Sequence, residues 1–181
     1  LCLAMAHSNG WLDYEEKVST YWPEFAQNGK ENITVEQLLA HEAGLCLVEE
    51  VFEISDLKDL DYIAEVMARQ EPLWEPGEQH GYHLATMGMY MNELMRRVDP
   101  QGRSIGEFFA QEFAKPLDLD FYIGLPDSIP DDKVAKVYYP SIIQFVINMD
   151  KMPKKMREDF RDRSSILYKS FKIPEKFSPN N

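Results

Sequence analysis

The chain is short of cysteine, of positive charge and of long apolar runs, and each shortage removes a class of protein. Two cysteines occur in 181 residues, Cys2 and Cys46, each inside a Leu-Cys-Leu run. Nothing resembles the framework of a small secreted domain, and no spacing suits a zinc site. Their apolar flanks suit two buried thiols; a disulfide between them is the other reading. Lys+Arg number 19 against Asp+Glu 31, a formal charge of -12. Such a surface repels a phosphate backbone, so nucleic acid is not an expected partner. No apolar stretch reaches the length of a bilayer span. There is no Gly-x-Ser-x-Gly elbow and no Gly-rich phosphate loop. There is no internal repeat, no low-complexity linker and no convincing run of alternating strand residues. The first residues also lack an initiator Met, a basic n-region and a signal-cleavage pattern, so the sequence reads as truncated at its start.

What is present is a globular composition, 44% hydrophobic and 12% aromatic, with helical punctuation. Residues 1–6 are apolar almost all round, as in a helix buried on every side, and Asn9-Gly10 supplies a left-handed stop. Thr34-Val35-Glu36-Gln37 is a capping box, followed by Leu38, Leu39 and Ala40 and closed by Gly44. A longer helix is predicted after Ser55 to about Gln70, with Leu57, Leu60, Ile63, Ala64 and Met67 on one stripe. Pro72 and Pro76-Gly77 interrupt the chain before a helix over 85–98. Ser104-Ile105-Gly106-Glu107 is a second capping box, opening a helix that ends at Lys115-Pro116. Beyond Phe121 the pattern loosens, with one more charged helix expected over 154–170 and an uncapped tail over 174–181.

Three stretches together resemble the β-lactamase-related serine hydrolases, which span class C β-lactamases, penicillin-binding relatives and carboxylesterases. The first is Gly10-Trp11-Leu12-Asp13 with Val18 and Trp22-Pro23-Glu24-Phe25. The second, and most specific, is Ile33-Thr34-Val35, Leu38-Leu39-Ala40-His41 and Ala43-Gly44-Leu45. The third runs over 74–117 and includes Pro76-Gly77, Tyr82, Gly88, the second capping box and Lys115-Pro116-Leu117. Three matches in the family's order and spacing are far less expected by chance than one. The resemblance implies the helical lobe of an α/β serine β-lactamase/transpeptidase-like fold, mainly α in this fragment, with most of the antiparallel sheet missing. It divides the chain into the end of the nucleophile helix (1–9), a helical lobe carrying the second-motif tyrosine (10–125), and an irregular segment with a charged helix (126–181). The family's Ser-x-x-Lys serine would lie about two helical turns before Leu1. The Lys-Thr-Gly or His-x-Gly strand would lie beyond Asn181.

The same resemblance makes Tyr82 the candidate catalytic residue. In the family a tyrosine follows Pro-Gly at this interval, and its oxygen accepts or relays the proton of the nucleophilic serine. Serine is a weak nucleophile without a base in hydrogen-bond reach, and a free tyrosine, with a pKa near ~10, is a poor base unless cations favour its phenolate. The missing lysine is the expected cation. The plainer reading is that Tyr82 is one of nine tyrosines packing at a helix entrance. His83 and Leu84 are the candidate substrate-binding neighbours. Leu84 stands where the family's second motif places an asparagine that contacts a lactam side-chain amide, so its presence favours esterase-like chemistry.

Several decoys compete. Ser55-Asp56-Leu57-Lys58 is a literal Ser-x-x-Lys, but Ser55 sits where a helix N-cap belongs, amid Asp56, Asp59 and Asp61. It also falls downstream of the Leu-Leu-Ala-His segment, whereas the family's nucleophile lies upstream. Tyr90-Met91-Asn92 is a literal Tyr-x-Asn, but it lies within a helix at the wrong interval from Pro76-Gly77. His80 and His83 are spaced for a shared metal on a helix, yet no third ligand accompanies them, so no metal is expected. They are placed instead near the cleft by Tyr82, while His41 is expected to be structural. Met87, Met89, Met91 and Met95 suit adaptable helix packing.

The leading expectation is a serine hydrolase acting through an acyl-enzyme on small esters or amides, with no diffusible cofactor and with the nucleophile outside these 181 residues. The alternatives are a non-catalytic scaffold or binding protein derived from the same fold, and a self-sufficient all-helical domain.

Overall fold

The computed structural model describes residues 1–136, 138, 141, 144 and 147–170. Among them the chain is helical, and no strand forms; one isolated antiparallel bridge joins Lys17 to Thr34. The elements are α1 (Cys2–Ser8), α2 (Val18–Tyr21), α3 (Val35–Leu39), α4 (Leu60–Arg69), α5 (Met87–Val98), α6 (Ile105–Phe109), α7 (Lys154–Arg161) and α8 (Ile166–Ser170). Short 3-10 turns separate several of them, and α6 runs into a single π turn over Ala110–Ala114. The tail over 174–181 lies outside the described residues. No described helix is long and apolar enough to cross a membrane.

The helix α5 is the hub, with α1, α2, α4 and α6 packed around it. Its buried residues Tyr90, Leu94, Met95 and Val98 recur at the three-to-four spacing of one helix face. The Tyr90 ring meets Phe25 edge-on at 6.1 Å and Trp22 at 6.3 Å, and its hydroxyl donates to the Met67 carbonyl of α4 at 3.3 Å. Glu93 is buried on α5, where it accepts from Arg96 at 2.8 Å and from Arg97 at 2.6 Å. Arg96 continues to Asp61 on α4, and Arg97 to Glu24. The chain after α5 is closed by Arg103, which donates Nε and Nη2 to Asp99, each at 2.9 Å, while its guanidinium lies 4.8 Å over the Phe108 ring.

Both predicted capping boxes form. The Gln37 backbone N–H donates to Thr34 Oγ1 at 3.1 Å, and Thr34 N–H donates back to Gln37 Oε1 at 3.0 Å. Ser104 and Glu107 repeat the pattern. Other expectations are corrected. The helix after Ser55 is two pieces: a 3-10 turn over Ile54–Lys58, then α4. Glu53 and Asp56 close a reciprocal box around that turn, and Asp59, not Ser55, caps α4 by accepting from Tyr62 N–H at 3.0 Å. A crowd of short acidic side chains offers several competing caps, and the later one wins the longer helix. The helix over 154–170 is also split, into α7 and α8. In α1, only Cys2, Leu3 and Ala6 are buried, so it packs on one side rather than all round. Cys2 and Cys46 are buried thiols, and burial pushes the Cys2 thiol up.

Candidate active site

The Thr34 box starts α3, and the chain leaves that helix through His41, which takes a left-handed backbone at φ 65, and Gly44 at φ 74. Left-handed backbone is uncommon for a residue with a Cβ. Here it aims the carbonyls and amides of residues 41–45 toward the loop over 73–86. The two segments are then stitched together. Leu73 N–H donates to Gly44 O at 2.8 Å, Gly77 N–H to Glu42 O at 3.1 Å and Gly81 N–H to His41 O at 3.1 Å. Trp74 Nε1–H adds a bond to Glu42 O at 3.2 Å. At the far end Thr86 Oγ1 donates to Leu45 O at 2.6 Å. The approach is close enough that a Cβ on Gly44 would come within 2.9 Å of the Trp74 carbonyl oxygen.

The middle of this ladder is a histidine pair. Leu45 N–H donates to His83 Nε2 at 2.9 Å, and the His83 backbone N–H donates to His41 Nδ1 at 3.1 Å. A backbone N–H can only donate, so both nitrogens carry lone pairs. The proton of neutral His83 therefore sits on Nδ1, where it faces His41 Nδ1 at 3.2 Å, and the proton of neutral His41 sits on Nε2. Burial pushes the His83 imidazole down to about 4, with His41 adding to that, the Gly81 backbone hydrogen bond opposing it and His80 contributing least. Burial, then His80, also lowers His41.

Tyr82 stands on top of this pair. Its side chain is 55% exposed, and its ring meets the His41 ring at 4.9 Å and 62°, an edge-to-face contact. Leu84, two residues on, is 41% exposed. His83 lies between them in sequence but is wholly buried, with its ring bonded inward, so it offers no polar atom to a molecule arriving from outside. His80 is exposed, with its ring 6.0 Å from that of His41.

The two literal decoys are placed elsewhere. Tyr90 is wholly buried in the core, and Asn92 Oδ1 accepts from Ile105 N–H at 2.9 Å, tying α5 to α6. Ser55 lies exposed on the 3-10 turn before α4. Among the described residues no group of three His, Cys, Asp or Glu side chains is arranged to hold a metal. The sequence reading missed the coupling of His41 to His83. Its only local sign is a histidine three residues before a glycine at the end of a capped helix.

The Beta-lactamase family profile matches residues 1–148. The chain is similar to the esterase/beta-lactamase LipL of Mycobacterium tuberculosis (strain ATCC 25618 / H37Rv), at 35% identity over 135 residues, 74% of this chain and 30% of that protein. Among solved structures it is similar to a family VIII carboxylesterase, with a TM-score of 0.67 and 42% identity over 70% of this chain and 35% of that one. It is also similar to a penicillin-binding protein homolog from Caulobacter crescentus, with a TM-score of 0.68 and 39% identity over 77% of this chain and 38% of that one. The chain thus spans about a third of the length of these relatives. With a profile match covering most of its residues, the chain belongs to the β-lactamase-related serine hydrolase family.

Proposed function

We propose that the protein carrying this segment is a serine hydrolase that works through an acyl-enzyme on small esters or amides. The observation that carries the reading is the placement of Tyr82: a solvent-facing phenol on a loop bonded tightly to residues 41–45, while the competing Tyr90 is sealed in the core.

In this reading the attacking serine and its lysine precede Leu1. Serine Oγ attacks the carbonyl carbon as the Tyr82 oxygen, assisted by that lysine, takes the hydroxyl proton. Backbone amides hold the oxyanion. Collapse breaks the ester C–O or amide C–N bond, and the proton passes to the departing alcohol or amine. Water then repeats the sequence on the acyl-enzyme, releasing the acid and restoring the serine. Leu84 supplies apolar surface beside the phenol in place of an asparagine, which favours an ester over a lactam amide. The relative named a family VIII carboxylesterase supports the same preference. No step calls for a diffusible cofactor.

A fluorophosphonate probe applied to the full-length protein tests the reading. It predicts stoichiometric labelling of one serine upstream of Leu1; a folded protein that takes up no label contradicts it.

A further inference from the structure

We propose that His41 is a positioning residue for Tyr82: anchored from behind by His83, its imidazole holds the phenol ring in the orientation that proton transfer needs. The inference rests on the hydrolase reading above and adds a residue to it.

Three observations converge. The Tyr82 ring packs edge-to-face against the His41 ring, at 4.9 Å. Its orientation is set by two donors on the same nitrogen, the backbone N–H and the ring Nδ1–H of His83, at 3.1 and 3.2 Å. His83 is itself pinned by Leu45 N–H at 2.9 Å. His41 also holds a left-handed backbone, φ 65, a conformation uncommon for a residue with a Cβ. Such strain persists where surrounding structure over-determines it, and it gathers at functional sites.

The arrangement is directional. With Nδ1 occupied by donors, the remaining ring proton is on Nε2, across the imidazole from His83. The titratable rings against His41 are those of His80, Tyr82 and His83, and no carboxylate is bonded to the ring among the described residues. Burial and the neighbouring His80 both favour the neutral His41 ring over a charged partner for the phenol. What it contributes is geometry. A phenol free to rotate about χ1 and χ2 would spend part of its time away from the serine, and a displacement of about 1 Å costs up to 100-fold in rate.

The test uses His41→Asn in the full-length protein. Asparagine tolerates the left-handed backbone, and its side-chain oxygen can accept the inward bonds, but it has no ring to meet Tyr82. With p-nitrophenyl butyrate as substrate, kcat should fall about 10- to 100-fold while KM stays within about twofold. Fluorophosphonate labelling of the wild-type serine separates the two ideas. Labelled wild type with unchanged kcat in the variant overturns the role of His41 alone; unlabelled wild type overturns the hydrolase reading and the proposal with it. A second measurement needs no variant. Nitrogen-15 spectra of the wild-type imidazoles should show His41 protonated at Nε2 and His83 at Nδ1, and the opposite His41 tautomer would overturn the proposal.

Discussion

Nδ1 of His41 accepts from the backbone N–H of His83 at 3.1 Å and lies 3.2 Å from the His83 ring Nδ1. Two donors on one lone pair leave no room for a proton there, and the pair is stable only while both rings are neutral. Acid therefore attacks the fold at this point. Free histidine titrates near 6.5, whereas folded His83 does so at about 4. Between those values the unfolded chain binds the proton and the folded one does not, so stability falls as pH drops through this window. The loss from His83 is on the order of 3 kcal/mol by pH 4, and half-buried His41 adds a smaller share. Urea denaturation at pH 7, 6, 5 and 4 should show the slope, and His83→Gln should flatten it.

The close approach of residues 41–45 to the Tyr82 loop makes the glycines at that contact unequal. Gly44 has φ 74, and a Cβ there would meet the Trp74 carbonyl oxygen at 2.9 Å; Gly77 has φ 90 but would meet only the side-chain nitrogen of Gln37, at 2.8 Å. A backbone carbonyl held in a ladder cannot step aside, whereas the Gln37 side-chain amide can shift at the expense of its one capping-box bond from Thr34 N–H. Gly44→Ala should cost about 3 kcal/mol and Gly77→Ala about half as much, read as shifts in the denaturation midpoint.

Lys30 is a buried cation bonded to carbonyls. Its Nζ donates to Gln27 O at 2.8 Å and Gln70 O at 2.7 Å, and stands 5.3 Å over the Phe25 ring. Burial pushes it down to about 8 from the ordinary 10.5, against the opposing pull of Glu31 and Glu71. Below pH 8 both states hold the proton, and the cost of burying the charge is present in full. Between 8 and 10.5 the unfolded chain keeps a proton that the folded chain has released, so stability gains from this residue as pH rises. Lys30→Met should remove that gain, and at pH 7 should destabilise by roughly 2 kcal/mol, because the Gln70 carbonyl at the end of α4 loses its donor. Parallel denaturation of both proteins at pH 7 and 9.5 reads both effects.

The two capping boxes are local devices of similar geometry. Thr34→Ala and Ser104→Ala should each cost about 1 kcal/mol. Neither should approach the loss from Gly44→Ala, since Thr34→Ala removes one bond and Ser104→Ala two bonds at a helix end, and neither displaces a backbone. Thermal unfolding of the three variants side by side gives the order.

What the sequence made legible is what depends on near neighbours. Thr34 and Gln37, or Ser104 and Glu107, are three residues apart and declare their bonds by spacing alone. The stop after α1 was equally plain from Asn9-Gly10. The break at Asp59 was not, because Ser55, Asp56 and Asp59 are all competent caps, and only the packed position of Ile63, Ala64 and Met67 against α5 chooses among them. Tyr82 is singled out by the family resemblance, which places a tyrosine at this interval from Pro76-Gly77, rather than by any local chemistry. Its surroundings were hidden, since His41 and His83 are 42 residues apart and neither flanking sequence advertises a partner. The same holds for Lys30 and Gln70, 40 residues apart.

The measurement closest to the central claim is the turnover of Tyr82→Phe in the full-length protein. The side chain is exposed and its hydroxyl is not part of the core, so the variant should unfold at the wild-type temperature. Loss of the proton-relaying oxygen should lower kcat on a p-nitrophenyl ester by about 100- to 10,000-fold. Wild-type turnover in a protein that has lost only that oxygen would contradict the account.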